Sequence, residues 1–384
     1  MTAIQNTSQQ TSVTDRHIVL IGGGHTHALF MKRWQQHPIP KCQVTLISDQ
    51  LHSPYSGMLP GLIAGHYGFS DVHIDLETLC QKSNIRFIQQ RVVGLDVNNQ
   101  SVKLNDNSEV PYDLTSINIG SSPSVTIPGA QEHATPVKPI SQFWQRWNEI
   151  LTELKQEKAG KTLTVIGAGA GGLELILALQ HRLQQDDIPG QHEFQLITQN
   201  ETILPRFPQK LRRRVEKILQ HKHIAVSTNT SVRQINAGLI ETNQEENLAS
   251  DFNFLCIDAA PASWPKESEL PVDHRGFIEI TNQLQVVGFN NVFAVGDIAQ
   301  QVHHPRPKAG VFAVRQAPFL YRNITNTLEG KPLRKYIPQS HFLSLLSTGD
   351  KYAIGSKRQL ILQGRWAWYY KDWIDRQFMK QFST

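Results

Sequence analysis

The stretch Ile18-Val-Leu-Ile-Gly-Gly-Gly-His-Thr-His27 decides how the chain is read. Four apolar residues run into three glycines, and Ala28, Leu29, Met31 and Trp34 follow at helical spacing. A continuous apolar strand, a glycine turn and a helix start are the parts of a dinucleotide-binding βαβ unit. Gly22 allows the tight turn, and Gly24 lets the backbone approach a pyrophosphate. The helix N-terminus beyond offers unpaired N–H groups and the positive end of its dipole. His27 stands where a third glycine is usual, so the expected helix packs less closely on its strand.

Working outward, Gln43 to Ile47 reads as the second strand of the unit. An acid about 20 positions beyond the turn holds a ribose hydroxyl in such units, which makes Asp49 the candidate; a turn-capping aspartate is the alternative. The stretch 52–61 (HSPYSGMLPG) is dense in Pro, Gly and small polar residues and is expected to be a loop wrapping the cofactor, with Ser56 and Gly57 at its centre. Short strands are expected at Ile85 to Ile88 and Val92 to Val97, with a hairpin over Ser101 to Tyr112. A strand from Tyr112 then stops in a turn at Gly120.

A second glycine turn follows. Leu163 to Gly172 reads Leu-Thr-Val-Ile-Gly-Ala-Gly-Ala-Gly-Gly, a full G-x-G-x-x-G at Gly167, Gly169 and Gly172. It follows a β-branched strand and opens a helix expected over Leu173 to Leu183, the context the motif requires. Glu174 is expected in the first helical turn, where a carboxylate suits the dipole and faces the nicotinamide region. The next strand, Phe194 to Thr198, ends in Thr-Gln-Asn with no ribose acid, which leaves NADH or NADPH open. Ile224 to Val226, Val232 to Ile235 and Asn253 to Ile257 are expected to complete this unit, with Cys256 packed inside the last strand. A late buried strand, Asn291 to Val295, runs into Gly296-Asp297, and a helix begins near Lys308.

Composition fits this reading. The 384 residues carry 39% hydrophobic and 18% charged side chains, enough for two or three domains with cores of their own. The net charge of +5 is spread along the chain, so no nucleic-acid partner is expected. Cys42, Cys80 and Cys256 form no C-x-x-C pair, which gives no local sign of a redox disulfide or zinc site and suits a reducing compartment. Residues 1–14 are polar and read as a disordered tail, and no apolar run approaches the ~20 residues of a spanning helix. A cytoplasmic protein, in contact at most with the inner face of a membrane, is expected. His25, His27, His52, His303 and His304 lie near the expected loops, and no metal is expected.

Two dinucleotide turns and a late Val-Gly-Asp strand resemble the two-dinucleotide-binding-domain flavoproteins. The chain is similar to type II NADH dehydrogenases and, through PYSGMLPGLIAGHY (54–67), RPKAGVFAVRQAP (306–318) and FLSLLSTGD (342–350), to the oxidoreductase module fused to or encoded beside selenide, water dikinase. The resemblance implies an α/β fold with two Rossmann-like domains: an FAD domain of residues 15–130 and 264–330, an NAD(P)H domain of residues 140–263, and a small C-terminal region, 331–384. It implies FAD contacts from Gly22, Gly24, His25, His27, Asp49, Ser56, Gly57, Gly120, Gly296, Asp297, Ala309, Gly310 and Val311. NADH or NADPH falls to Gly167, Gly169, Gly172 and Glu174.

The implied reaction is hydride transfer from NAD(P)H to FAD and then to a quinone or other small acceptor, without redox-active cysteines. Type II dehydrogenases line the quinone site with an A-Q-x-A-x-Q-type helix; here residues 310–316 read Gly-Val-Phe-Ala-Val-Arg-Gln, so Glu174, Arg315 and Gln316 are the polar candidates at the reacting centre. Trp366, Tyr370, Trp373 and Gln377 share one face of a C-terminal helix, which the resemblance assigns to membrane or dimer contact and which docking on the core would equally explain. The alternative function is an accessory or redox-sensing flavoprotein serving a selenium or sulfur partner.

Overall fold

The computed structural model describes residues 15–123, 126–257 and 259–383; the expected tail, residues 1–14, lies outside the described residues. The apolar run before the first glycine turn forms β1 (Arg16–Ile21), with Ile18 to Ile21 wholly buried. After it come α1 (His25–Gln36), β2 (Cys42–Ile47), β3 (Arg86–Ile88) and β4 (Leu114–Ile117). The second half begins with β5 (Ala134–Pro136) and α2 (Ile140–Gln156), then β6 (Thr162–Ile166), α3 (Ala170–Gln185) and β7 (Glu193–Ile197). Further along stand β8 (Ala225–Ser227), β9 (Phe252–Leu255), β10 (Val292–Ala294) and α4 (Gly310–Leu328). The chain closes with β11 (Ser344–Ser347), β12 (Ala353–Lys357), β13 (Leu360–Gly364) and α5 (Arg365–Lys380).

Two five-stranded parallel sheets result, in the orders β10-β4-β1-β2-β3 and β5-β9-β6-β7-β8. In each sheet the strand before the glycine turn lies where the chain order reverses. Loops leaving its carboxyl end therefore part to opposite sides and open a crevice. Continuous apolar runs mark these strands because helices cover both faces. In α2 the buried positions are Ile140, Phe143, Trp147, Ile150, Leu151 and Leu154, one stripe at helical spacing. Phe143 and Trp147 meet Phe254 of β9 edge-on, with centroids 6.0 and 6.2 Å apart. The helix α3 is buried on nearly every side, so its leucines read as core all round.

Four sequence expectations change. The stretch 52–61 is folded: His52–Pro54 pairs with His73–Asp75, Ser56–Met58 forms a 3-10 turn, and Leu59–Ile63 is a buried helix started by Pro60. Val232–Asn236 leaves the parallel sheet for an antiparallel one with Leu239–Thr242 and Leu248–Ala249, because a two-residue turn at Ala237-Gly238 returns the chain on itself. Val92–Asp96 likewise joins the hairpin strands Ser101–Leu104 and Glu109–Pro111. The helix α3 begins at Ala170, three residues before the expected start, so Glu174 is its fifth residue and lies beyond the first turn.

Candidate functional site

The second glycine turn has a separate use for each glycine. Gly167 adopts φ +114°, and a Cβ there would lie 2.2 Å from the Cys256 carbonyl oxygen. At Gly172 a Cβ would lie 1.7 Å from the Gly167 carbonyl oxygen, so only glycine lets α3 close on β6. A Cβ on Gly169, the residue capping α3, would meet no atom within 4 Å. The chain therefore packs at the first and third positions and leaves the second facing open space, as approach by a pyrophosphate requires.

The first turn differs. Gly22 has φ +87°, and its Cβ position is blocked by the Asn118 carbonyl, 2.6 Å away. The space beside Gly24 holds the Asn118 side chain, 2.3 Å from where a Cβ would be, so Gly24 is required by the protein's own packing and not only by an approaching ligand. Asn118, buried at the end of β4, ties three turns together. Its carbonyl accepts from Gly24 N–H (3.2 Å), its Oδ1 from His27 N–H (3.3 Å), and its Nδ2 donates to Val295 O (3.0 Å) beside Gly296. An Asn closing an apolar strand was the available signal, and sequence reading passed over it.

His27 has a structural role in the first turn. It is fully buried, with Nδ1 2.7 Å from Gly22 O and Nε2 2.8 Å from Ser116 Oγ. A carbonyl only accepts, so Nδ1 carries the proton and Nε2 accepts from Ser116. Burial, opposed by the Gly22 bond, pulls its pKa down to about 4 and keeps the ring neutral. His25 opens α1; its Nε2 lies 3.1 Å from Pro54 O, and burial lowers its pKa. A Cβ on Gly310, the first residue of α4, would lie 3.8 Å from His25 Nδ1 and 3.9 Å from Ser56 Oγ. The first turn, the folded 52–63 segment and the start of α4 thus converge, with Ala309 as the α4 cap and Val311 partly buried beside it.

Asp297 sits in the 3-10 turn after β10, 3.2 Å from Lys138 Nζ. Gly120, at φ +72°, follows β4 with open space beside its Cα, and Asp49 lies exposed at the carboxyl end of β2. Two candidates for the reacting centre stand elsewhere. Gln316 is buried and its Oε1 accepts from Gly296 N–H (2.8 Å), which commits it to holding the Gly-Asp turn. Arg315, the next position round the helix, is exposed.

Glu174 does face a cavity. About 180 Å³ of space is lined by Ser56, Leu59 and Pro60 from the first half, Gly171, Glu174 and Leu175 from α3, Leu255 to Ile257 and Val137 and Lys138 after the strand ends, and Ile140 at the start of α2. Cys256 is corrected here: β9 ends at Leu255, and Cys256 lies in the cavity wall, where burial pushes its thiol up to about 12. Cys80 is buried with its Sγ 3.6 Å from Met31 Sδ, and all three cysteines are free.

Behind Glu174 lies a charge cluster that sequence reading missed. Ser347 N–H donates to Glu174 Oε1 (2.8 Å), and Lys371 of α5 donates to Asp375 Oδ2 (2.7 Å) and Gly57 O (2.6 Å). Burial pushes Glu174 up to about 7, with Lys371 opposing. Burial also raises Asp375 despite Lys371, while the two carboxylates outweigh burial and keep Lys371 charged. The only local sign was the Lys371–Asp375 spacing of four on a helix. Phe378 stacks on Tyr55 at 4.5 Å, completing the attachment of α5 over the site. Its opposite face is bare: Trp366, Tyr369, Tyr370 and Trp373 are 43–57% exposed. No helix among the described residues is long and apolar enough to cross a membrane, and no metal-binding group of His, Cys, Asp or Glu occurs among them.

Two glycine turns at the switch points of two parallel sheets, with an apolar cavity between the 52–63 segment and the second turn, define an FAD/NAD-binding oxidoreductase of Rossmann type. A family model described as pyridine nucleotide-disulphide oxidoreductase matches residues 16–317, and the chain belongs to that family. It is an oxidoreductase whose cofactors are FAD and NAD(P)H. The chain is similar to the NADH dehydrogenase-like protein YutJ of Bacillus subtilis, 24% identical across 91% of this chain and 95% of that protein. It is also similar to the demethylphylloquinone reductase NdbB of Synechocystis sp., 24% identical across 86% of this chain and 85% of that one. The sulfide:quinone oxidoreductase of Aquifex aeolicus shares the fold, with a TM-score of 0.82, 20% identity, and coverage of 96% of this chain and 91% of that chain.

Proposed function

We propose that the first turn, with Asp49, the 56–57 segment, Asp297 and the start of α4, holds FAD, and that Gly167, Gly169 and Gly172 hold NAD(P)H. Electrons then pass to a quinone or another small acceptor, without a redox-active cysteine pair. The observation that carries this reading is the apolar cavity whose walls join the folded 52–63 segment to the second glycine turn, through Ser56, Leu59, Pro60 and Gly171. Bound flavin supplies two-electron chemistry, accepting hydride from a nicotinamide. The chain's own work is to position and to exclude water: Leu59, Pro60, Ile140, Leu175 and Leu255 give the cavity an apolar lining.

Glu174 is the one carboxyl in that wall, and with a pKa of about 7 it can hold or release a proton at Oε1 or Oε2 near neutral pH. The α4 N-terminus offers N–H groups and a positive dipole end to negative charge. The names of YutJ and NdbB support a nicotinamide donor and a quinone acceptor. Cys80 is packed on Met31, and Cys256 stands in the wall as a protonated thiol, which supports the reading without cysteine chemistry. The bare aromatic face of α5 supports contact with the surface of a membrane, or with a second copy of the chain.

Anaerobic mixing with NADH and, separately, NADPH tests this reading. Rapid bleaching of the flavin band by one of them, then turnover on a soluble quinone, is the expected outcome. A flavin that stays oxidised under excess of both refutes the donor assignment. Bleaching without turnover on any acceptor transfers the protein to the accessory reading, with a selenium or sulfur partner.

A further inference from the structure

Apart from that cavity, a solvent-open crevice runs along the Gly296–Asp297 turn, walled by Gln301, His304, Arg306, Lys308, Phe312 and Tyr336. Its polar groups are unbalanced toward donors. Asp297 is the one carboxylate in its walls, and Lys138 already stands 3.2 Å from it. Arg306 gives an Nη1 proton to the Pro305 carbonyl (3.1 Å), yet its buried Nε meets no acceptor among the described residues. Tyr336 is 3% exposed, and its hydroxyl also has no partner. The Nε2 of Gln339, next after the crevice-lining Pro338, is buried and unpartnered too.

These groups are held in place. Tyr336 N–H donates to Asn282 O (2.7 Å), its carbonyl accepts from Gln301 Nε2 (3.0 Å), and its ring meets Phe319 edge-on at 5.2 Å. Lys308 Nζ donates to Ala299 O (2.8 Å) and Gln300 Oε1 (3.1 Å) and lies 3.8 Å from the centre of the Phe277 ring, which fixes its charge on the same side. Buried donors without acceptors are destabilising, and two of them among the crevice walls, Arg306 Nε and the Tyr336 hydroxyl, call for an acceptor supplied from outside. A guanidinium and a phenol, with an ammonium behind them, match an oxyanion, and a neutral ring would leave the same donors unpaired.

We propose that this crevice binds a small molecule through a carboxylate or phosphate group, held by Arg306 and Tyr336 beside the Asp297 turn. The crevice shares Asp297 and Ala309 with the FAD site proposed above and lies outside both glycine turns.

The test uses the full chain loaded with FAD and saturated with NAD⁺, so that both turns are occupied. Inorganic phosphate and, in a second series, acetate are titrated calorimetrically at constant ionic strength. The expected result is saturable binding of at least one anion, weakened about tenfold or more in Tyr336→Phe and in Arg306→Gln. Flavin absorbance and far-ultraviolet circular dichroism confirm that both variants fold. Preference for phosphate or for acetate supports the site and sets its ligand class. Absence of saturable heat in the unsubstituted chain, or equal affinity in both variants, overturns it and assigns the free donors to the bound FAD or to ordered water.

Discussion

His27 illustrates how one side chain changes the chemistry of a turn. Where a third glycine would let helix and strand touch, a neutral imidazole fills the gap and bridges Gly22 O to Ser116. Its pKa falls from 6.5 in the unfolded chain to about 4 in the folded one. The stability tied to its neutral form is therefore complete above pH 6.5 and is lost as pH falls through about 4, a swing on the order of 3 kcal/mol. His27→Gln, which cannot titrate, should cost about 1–3 kcal/mol near pH 7.5. Urea denaturation at pH 7.5 and pH 4.5 checks this: the gap between the two proteins should narrow in acid, and a constant gap would refute the buried neutral ring.

At the scale of elements, α5 has two unlike faces. One carries Lys371, Asp375 and Phe378 into the site, and the other presents Trp366, Tyr369, Tyr370 and Trp373 to solvent. Because the two tryptophans are more than half exposed, replacing both with alanine should change stability by no more than ~0.5 kcal/mol per site. If the face meets a bilayer, the same double substitution should lower binding to phosphatidylglycerol vesicles about tenfold or more, since each indole buries a large apolar area at an interface. Cosedimentation measures this, and undiminished binding would remove α5 from the contact. The helix itself was legible from its aromatic spacing. Which face is bare was not, because either face could have docked until Lys371 found Gly57, Glu174 and Asp375.

For the whole molecule, the two glycine turns should be separable by substitution. Gly169 is the position where a side chain meets no protein atom, so Gly169→Val should fold and retain FAD. It would, however, fill the space a pyrophosphate enters, and affinity for NADH and NADPH should fall by about 100-fold or more, the cost of displacing a phosphate from a helix N-terminus. Flavin content and nicotinamide titration read the two effects independently. Equal loss of FAD would mean that the turns are coupled and that the division of cofactors is wrong.

The edge strand β5 was not expected and Val232 to Ile235 was placed in the wrong sheet, but both glycine turns, the strands that enter them and the late Gly-Asp strand were readable in the sequence. Each is fixed within about ten residues by apolar runs, positive φ at glycine and a helix start, and such local rules need no knowledge of distant residues. The fold of residues 52–63 was hidden because Pro and Gly mark loops and helix starts alike. Asn118 as the tie between three turns, Gln316 as the brace of Gly296, and the burial of Glu174 against Lys371 and Asp375 were decided only by tertiary structure. The partners in each lie far apart in the chain, and their protonation depends on how much water the assembled core removes, a quantity no single segment contains.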